Sequence, residues 1–196
     1  MGGGYDGPAT SANGGRTWER VNGSATYALV PSPTVFNLVY GVFHPQFVSG
    51  MHGMYRSDDA GATWHLLDFR RAGTPFAVDP ADASLVYFRD DQQIFETRDL
   101  RHGPGEPRIR TLGSFPNKVT AAAMSPDGAV FWVATEARTW HRSADGGKMW
   151  RALDAAPAER AFVSLGVDPN DSAVVFGITD DGALWVYRDA EMISAR

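Results

Sequence analysis

The sequence predicts an all-β chain of about four repeated, four-stranded antiparallel sheets, and three observations carry that prediction. An octapeptide occurs three times, as Ser11-Ala-Asn13-Gly-Gly15-Arg-Thr17-Trp18, Ser57-Asp-Asp59-Ala-Gly61-Ala-Thr63-Trp64 and Ser143-Ala-Asp145-Gly-Gly147-Lys-Met149-Trp150. Four short apolar segments end in proline, at Pro31, Pro80, Pro126 and Pro169. The composition is 43% hydrophobic, with six Trp, eleven Phe and six Tyr in 196 residues, an aromatic load suited to stacked sheets. A period of roughly 45 residues means that each unit buries its apolar face only by stacking on a neighbour.

The octapeptide reads as a turn followed by the start of a strand. Ser and Asp, or Asn13 in the first copy, accept hydrogen bonds from nearby backbone N–H groups. The glycine takes the left-handed backbone position, Thr resumes β geometry, and Trp supplies a large apolar body expected in the core between sheets. Met149 replaces Thr in the third copy. Two eroded copies, Thr97-Arg-Asp99 and Tyr187-Arg-Asp189, keep the first polar positions.

Between the turns, each proline is followed by a second β-rich run: Leu38-Val-Tyr-Gly-Val-Phe43, Leu85-Val-Tyr-Phe88, Val130-Phe-Trp-Val-Ala134 and Val174-Val-Phe-Gly-Ile178. A third run then leads into the turn, and a fourth strand begins at the Trp. Proline at a strand exit removes no needed ladder donor. Four-stranded sheets at this spacing are the mark of β-propeller blades, packed radially round a channel. The expected organisation is one domain, 1–196, with blade boundaries near 24, 73, 118 and 161. The chain enters before a third strand and stops on a third strand, so two arrangements compete. Either the strand beginning near Thr17 closes a four-bladed ring, or the chain is part of a larger ring or joins another copy to complete one.

The three octapeptides resemble the Asp-box, or BNR, repeat of sialidases, sortilin-like receptors, xyloglucan-cleaving endoglucanases and photosystem assembly factors. With the proline-ended strands, the resemblance runs over nearly the whole chain and implies a β-propeller. It implies no single activity, because families with and without catalysis share the repeat. Departures count against two of them. The early Arg-Ile-Pro element of sialidases is absent, and Pro107-Arg-Ile-Arg110 lies in an expected outer strand. The xyloglucan-cleaving enzymes use two long propellers with an acid from each, and this chain supplies at most part of one.

Charge and composition narrow the partners. A net charge of −5, with scattered arginines and only two lysines, Lys118 and Lys148, disfavours nucleic acid. No stretch approaches a membrane span in length, and no signal peptide is written at the N-terminus, which leaves the compartment open and an extracytoplasmic one possible if the N-terminus is incomplete. The absence of Cys removes disulfides and thiolate metal sites. The reading needs no cofactor and no metal.

Ligands of such propellers are expected on the face opposite the octapeptide turns. The loops assigned there are 21–26, 68–74, 113–118 and 154–161, together with 43–53, 89–93, 135–138 and 179–182. Asp90, Asp91, Glu136, Asp180 and Asp181 are candidate acid and base residues, since a pair of carboxylates can cleave a glycosidic bond. The competing reading of Asp-Asp at a strand end is ordinary turn chemistry. His44, His52, Arg70, Arg71 and Arg138 are candidate ligand-binding residues. The function expected is recognition of a carbohydrate or protein partner without catalysis. The alternatives are a glycoside hydrolase and a structural subunit that assembles through its blade edges, giving a homo-oligomer.

Overall fold

The computed structural model describes residues 9–20, 26–43, 53–67, 73–98, 100, 108–153 and 160–189. Among these the chain forms strands and no helix. β1 (Ala9–Thr10) and β2 (Glu19–Arg20) make a two-stranded sheet across the first octapeptide. β3 (Thr26–Pro31), β4 (Val39–Phe43), β5 (Gly53–Ser57) and β6 (His65–Leu66) make a four-stranded sheet, as do β7 (Thr74–Val78), β8 (Val86–Asp90), β9 (Gln93–Arg98) and β10 (Arg108–Ser114). A third is made by β11 (Val119–Met124), β12 (Phe131–Thr135), β13 (Trp140–Ser143) and β14 (Arg151–Leu153). The last sheet holds β15 (Phe162–Val167), β16 (Val174–Thr179) and β17 (Leu184–Arg188), three strands among the described residues. In every sheet spatial order follows chain order, the meander of a β-propeller blade. The strand after the first octapeptide, β2, has β1 as its partner.

The octapeptides fold alike. In each, the Ser hydroxyl donates to the Asn or Asp side chain and accepts from the glycine N–H, at 2.8 Å for Gly15, 2.7 Å for Gly61 and 2.9 Å for Gly147. The Asn or Asp oxygen accepts from the N–H four residues on, at 2.9 Å from Thr17, 2.8 Å from Thr63 and 2.9 Å from Met149. Two consecutive residues, not one, take the left-handed conformation, and in the second copy the first of them is Ala60, with φ of 59°.

A second corner repeats between the first two strands of each four-stranded sheet and of the last. The N–H groups of Ser32, Asp79, Ser125 and Asp168 each donate to a carbonyl at the start of the second strand or just before it, Leu38, Leu85, Val130 and Val174. This register makes Pro33, not Pro31, the counterpart of Pro80, Pro126 and Pro169. The first strands of three sheets also share an irregularity near their beginning, between Thr26 and Ala28, Val119 and Ala121, and Phe162 and Ser164. Such bulges sharpen local twist, as radially packed sheets need.

The chain divides into two compact units, Met1–Tyr87 with Thr97–Ile109 and Phe88–Glu96 with Arg110–Arg196. In the first, β3 packs on β7, Phe43 lies edge-on to both Tyr55 and Trp64 at 4.9 Å, and the Tyr40 hydroxyl donates to the Ala83 carbonyl at 3.0 Å. In the second, β11 packs on β15 around Trp132, Trp140, Phe162 and Val175, all buried. The Trp132 indole donates to the Ser172 carbonyl at 3.1 Å.

The octapeptide tryptophans do not share one environment. Trp150 is half-buried, edge-on to Phe115 at 5.1 Å, and its indole donates to the Leu112 carbonyl at 2.8 Å. Trp64 is half-buried, with its indole N–H unpartnered. Trp18 departs from the expectation of a core residue: it is 64% exposed, and its indole folds back on the Gly15 carbonyl at 3.0 Å. β1 and β2 are two residues each, so little sheet surface stands beside this ring to cover it.

Candidate ligand-binding loops

In the second unit, three tight hairpins join the second strand of a sheet to its third, at residues 90–93, 135–139 and 179–183. Backbone bonds close the latter two: Thr135 N–H to the Thr139 carbonyl and Thr179 N–H to the Ala183 carbonyl, each at 3.0 Å. Every tip is tied to a segment entering the first strand of a sheet. Val119 N–H donates to the Asp91 carbonyl at 2.5 Å and Phe115 N–H to the Gln92 carbonyl at 2.7 Å, while the Gln92 amide donates to the Pro116 carbonyl at 3.2 Å. Glu136 N–H donates to the Lys118 carbonyl at 2.8 Å, and Asp180 N–H to the Ala161 carbonyl at 3.1 Å. Segment 115–119 thus bonds to two successive hairpins and links them, while the third hairpin is tied separately to residue 161.

The carboxylates predicted from sequence sit on these hairpins with local partners. Asp90 ends β8, and Asp91 stands exposed at the tip with its carbonyl engaged. The Glu136 carboxylate accepts from Lys118 N–H at 3.4 Å. Asp180 is exposed and contributes its backbone N–H. The Asp181 carboxylate accepts from the Thr179 hydroxyl at 2.6 Å and from Ala183 N–H at 3.3 Å, and Arg160 stands at 4.0 Å. The Thr179 bond first, then the Ala183 bond, holds this carboxyl below the usual carboxylate range. A general acid at neutral pH needs the opposite shift. Arg138 occupies a left-handed turn position, φ 63°, at the tip of its hairpin. His44, His52, Arg70 and Arg71 lie outside the described residues. Among the described residues no group of three or more His, Asp and Glu could hold a metal ion.

Two residues that the sequence reading passed over stand out. Arg89, on β8, takes the position held by Val42, Ala134 and Ile178 in the other sheets. Its guanidinium is half-buried and donates to the Val119 carbonyl at 3.2 Å. Burial holds its pKa below the usual arginine value, and among the described residues no carboxylate pairs with it. A guanidinium carries five N–H donors, so most of its capacity is left for a ligand. The signal in the sequence was a charge at an otherwise apolar position of the repeat. His141, buried on β13, contacts Thr139 Oγ1 through Nε2 at 3.3 Å and the Phe115 ring at 4.9 Å; burial pushes its pKa down.

No protein-family model matches the chain, and no curated protein matches it. Solved structures do. The Niastella koreensis GH74 enzyme aligns with a TM-score of 0.65 at 17% identity, over 92% of this chain and 33% of that one. An ancestral GH74 enzyme aligns with a TM-score of 0.64 at 14% identity, over 98% and 30%. YCF48 bound to a D1 peptide aligns with a TM-score of 0.58 at 15% identity, over 91% and 55%. The chain therefore spans about a third to about half of the length of the chains it resembles. At these identities the likeness is one of fold, and it agrees with the meander sheets and the repeated corners: the chain is a β-propeller protein with the fold shared by GH74 enzymes and YCF48.

Proposed function

We propose that the chain is a recognition module without catalysis, which binds a carbohydrate or protein partner through the hairpin surface of the second unit, with Arg89 anchoring an acidic group. The observation that carries this reading is the half-buried Arg89 guanidinium, which has a backbone carbonyl and no carboxylate as its partner among the described residues. A desolvated cation of this kind gains most from a planar carboxylate that it can grip with two N–H groups. The surrounding loops are held by backbone hydrogen bonds, so little ordering opposes binding. The local engagement of Glu136 and Asp181 supports binding over bond cleavage. A peptide complex of YCF48, a protein of the same fold, agrees with a propeller acting as a binder.

The test is a glycan array and a peptide array, each rich in carboxylates, followed by calorimetric titration of the hits. Binding is expected, and Arg89→Met is expected to weaken it by about tenfold or more, the loss of about 1.4 kcal/mol or more. Turnover of a fluorogenic glycoside that disappears in Glu136→Gln or Asp90→Asn would overturn the reading in favour of a glycoside hydrolase.

A further inference from the structure

Each covered sheet offers the sheet after it two cross-strand pairs on one face. In the first four-stranded sheet these are Tyr40 opposite Arg56 and Val42 opposite Met54. In the third they are Trp132 opposite Arg142 and Ala134 opposite Trp140. The following strands cover them: Met54 and Trp140 are each 2% exposed, and the polar tips of Tyr40 and Trp132 reach carbonyls ahead of the next sheet's second strand. The last sheet repeats the arrangement with Phe176 opposite Val186 and Ile178 opposite Leu184. Here Leu184 is 59% and Ile178 43% exposed. The other face of the same sheet already packs on Trp132 and Trp140, through Val175 and Tyr187.

The exposed face is therefore built like those that a further sheet covers elsewhere in the chain. It differs in two ways that suit a separable partner. Val186 stands where the other copies have Arg56 and Arg142, which makes the patch wholly apolar. Phe176 has no polar hydrogen, so it requires no particular carbonyl from whatever covers it. The occupant is suggested by the chain's own first sheet, whose Trp18 is uncovered although its counterpart Trp150 is held against β10.

We propose that these two surfaces bind each other between molecules, the β15–β17 face of one copy receiving the β1–β2 sheet and Trp18 of a second copy. The contact is heterologous, head to tail, so it extends until a ring closes. It removes from water an apolar patch that a soluble monomer rarely leaves open, and it shields the edge of β17 that no strand pairs with among the described residues. This inference is independent of the loop reading above.

Sedimentation velocity over a concentration series tests it, with circular dichroism and melting to check that each variant folds. Wild type is expected to associate reversibly. Leu184→Asp, which spoils one surface, and Trp18→Glu, which spoils the other, are each expected to remain monomeric. Mixed in equal amounts they are expected to form a dimer and nothing larger, because one intact pair of surfaces remains between them. Ile178→Lys replaces Leu184→Asp should that variant not fold. A wild type that stays monomeric up to its solubility limit overturns the proposal. So does Trp18→Glu associating as well as wild type, the sign of two β15–β17 faces packing on each other.

Discussion

At the scale of single residues, the second and third octapeptide corners differ by one hydroxyl. The Thr63 hydroxyl donates to Asp59 at 2.6 Å and, with the Thr63 N–H and the Ser57 hydroxyl, holds the Asp59 carboxyl at about 2. Asp145, opposite Met149, has its carboxyl lowered by the Met149 N–H first and lacks that bond. The Met149 side chain is exposed, so nothing in the core depends on it. Met149→Thr is expected to raise stability by restoring that bond, read as a higher midpoint in urea. Ala60→Gly is expected to add up to about 1 kcal/mol by relieving the left-handed strain at φ 59°, by the same measurement. For both aspartates the folded pKa is depressed, so their stabilisation is present above the ordinary carboxyl pKa and is lost as pH falls through the folded value. His141 is also depressed, by burial. The unfolded chain binds its proton first, so stability falls as pH drops below the ordinary imidazole range, about 6.5. Melting temperature is expected to decline between pH 7 and 5, and His141→Gln is expected to flatten that segment. The Ser–Asp–Gly corners were legible in sequence because their bonds span four residues or fewer. The exposure of Trp18 was not, because it depends on what lies beside the ring.

Between elements, the eroded octapeptide Tyr187-Arg-Asp189 keeps a role that local sequence did not reveal. Asp189 follows β17, and its carboxylate pairs with Arg142 of β13 at 3.3 Å and with Arg151 of β14. Arg142 also stands 5.5 Å from the Trp132 ring centre, and both Arg142 and Asp189 are mostly buried. Asp189→Ala is expected to cost about 3 to 5 kcal/mol by leaving Arg142 an uncompensated cation, measured by urea unfolding. Arg151→Ala, at an exposed partner, is expected to change stability by less than about 1 kcal/mol. Gly177 marks another close approach: a Cβ there would stand 2.5 Å from the Phe162 ring, itself fully buried. The strands and their order were legible because alternation and turn residues are local signals. The proline register was misaligned by two residues in the first repeat, because Pro31 and Pro33 both fit a strand exit and only the Ser32 to Leu38 bond separates them. Arg89 was legible only after the four second strands were aligned on one another.

For the whole molecule, the repeat announced a β-propeller, and the sheets and structural neighbours agree. The ligand was not legible, because the same framework carries a GH74 enzyme and a peptide-bound YCF48, and chemistry resides in loops that the repeat does not specify. Head-to-tail association through an apolar face is expected to strengthen in sulfate, which favours burial of apolar surface, and sedimentation in added ammonium sulfate checks it. The bonds from Tyr40 to Ala83 and from Trp132 to Ser172 join residues 43 and 40 positions apart in the chain. During synthesis, the polar tip of each of these rings waits for an acceptor that the ribosome has yet to add. Each of these two blades is finished by its successor, so the growing chain carries an unsealed sheet until that successor emerges, and a pause in translation at that point prolongs the exposure.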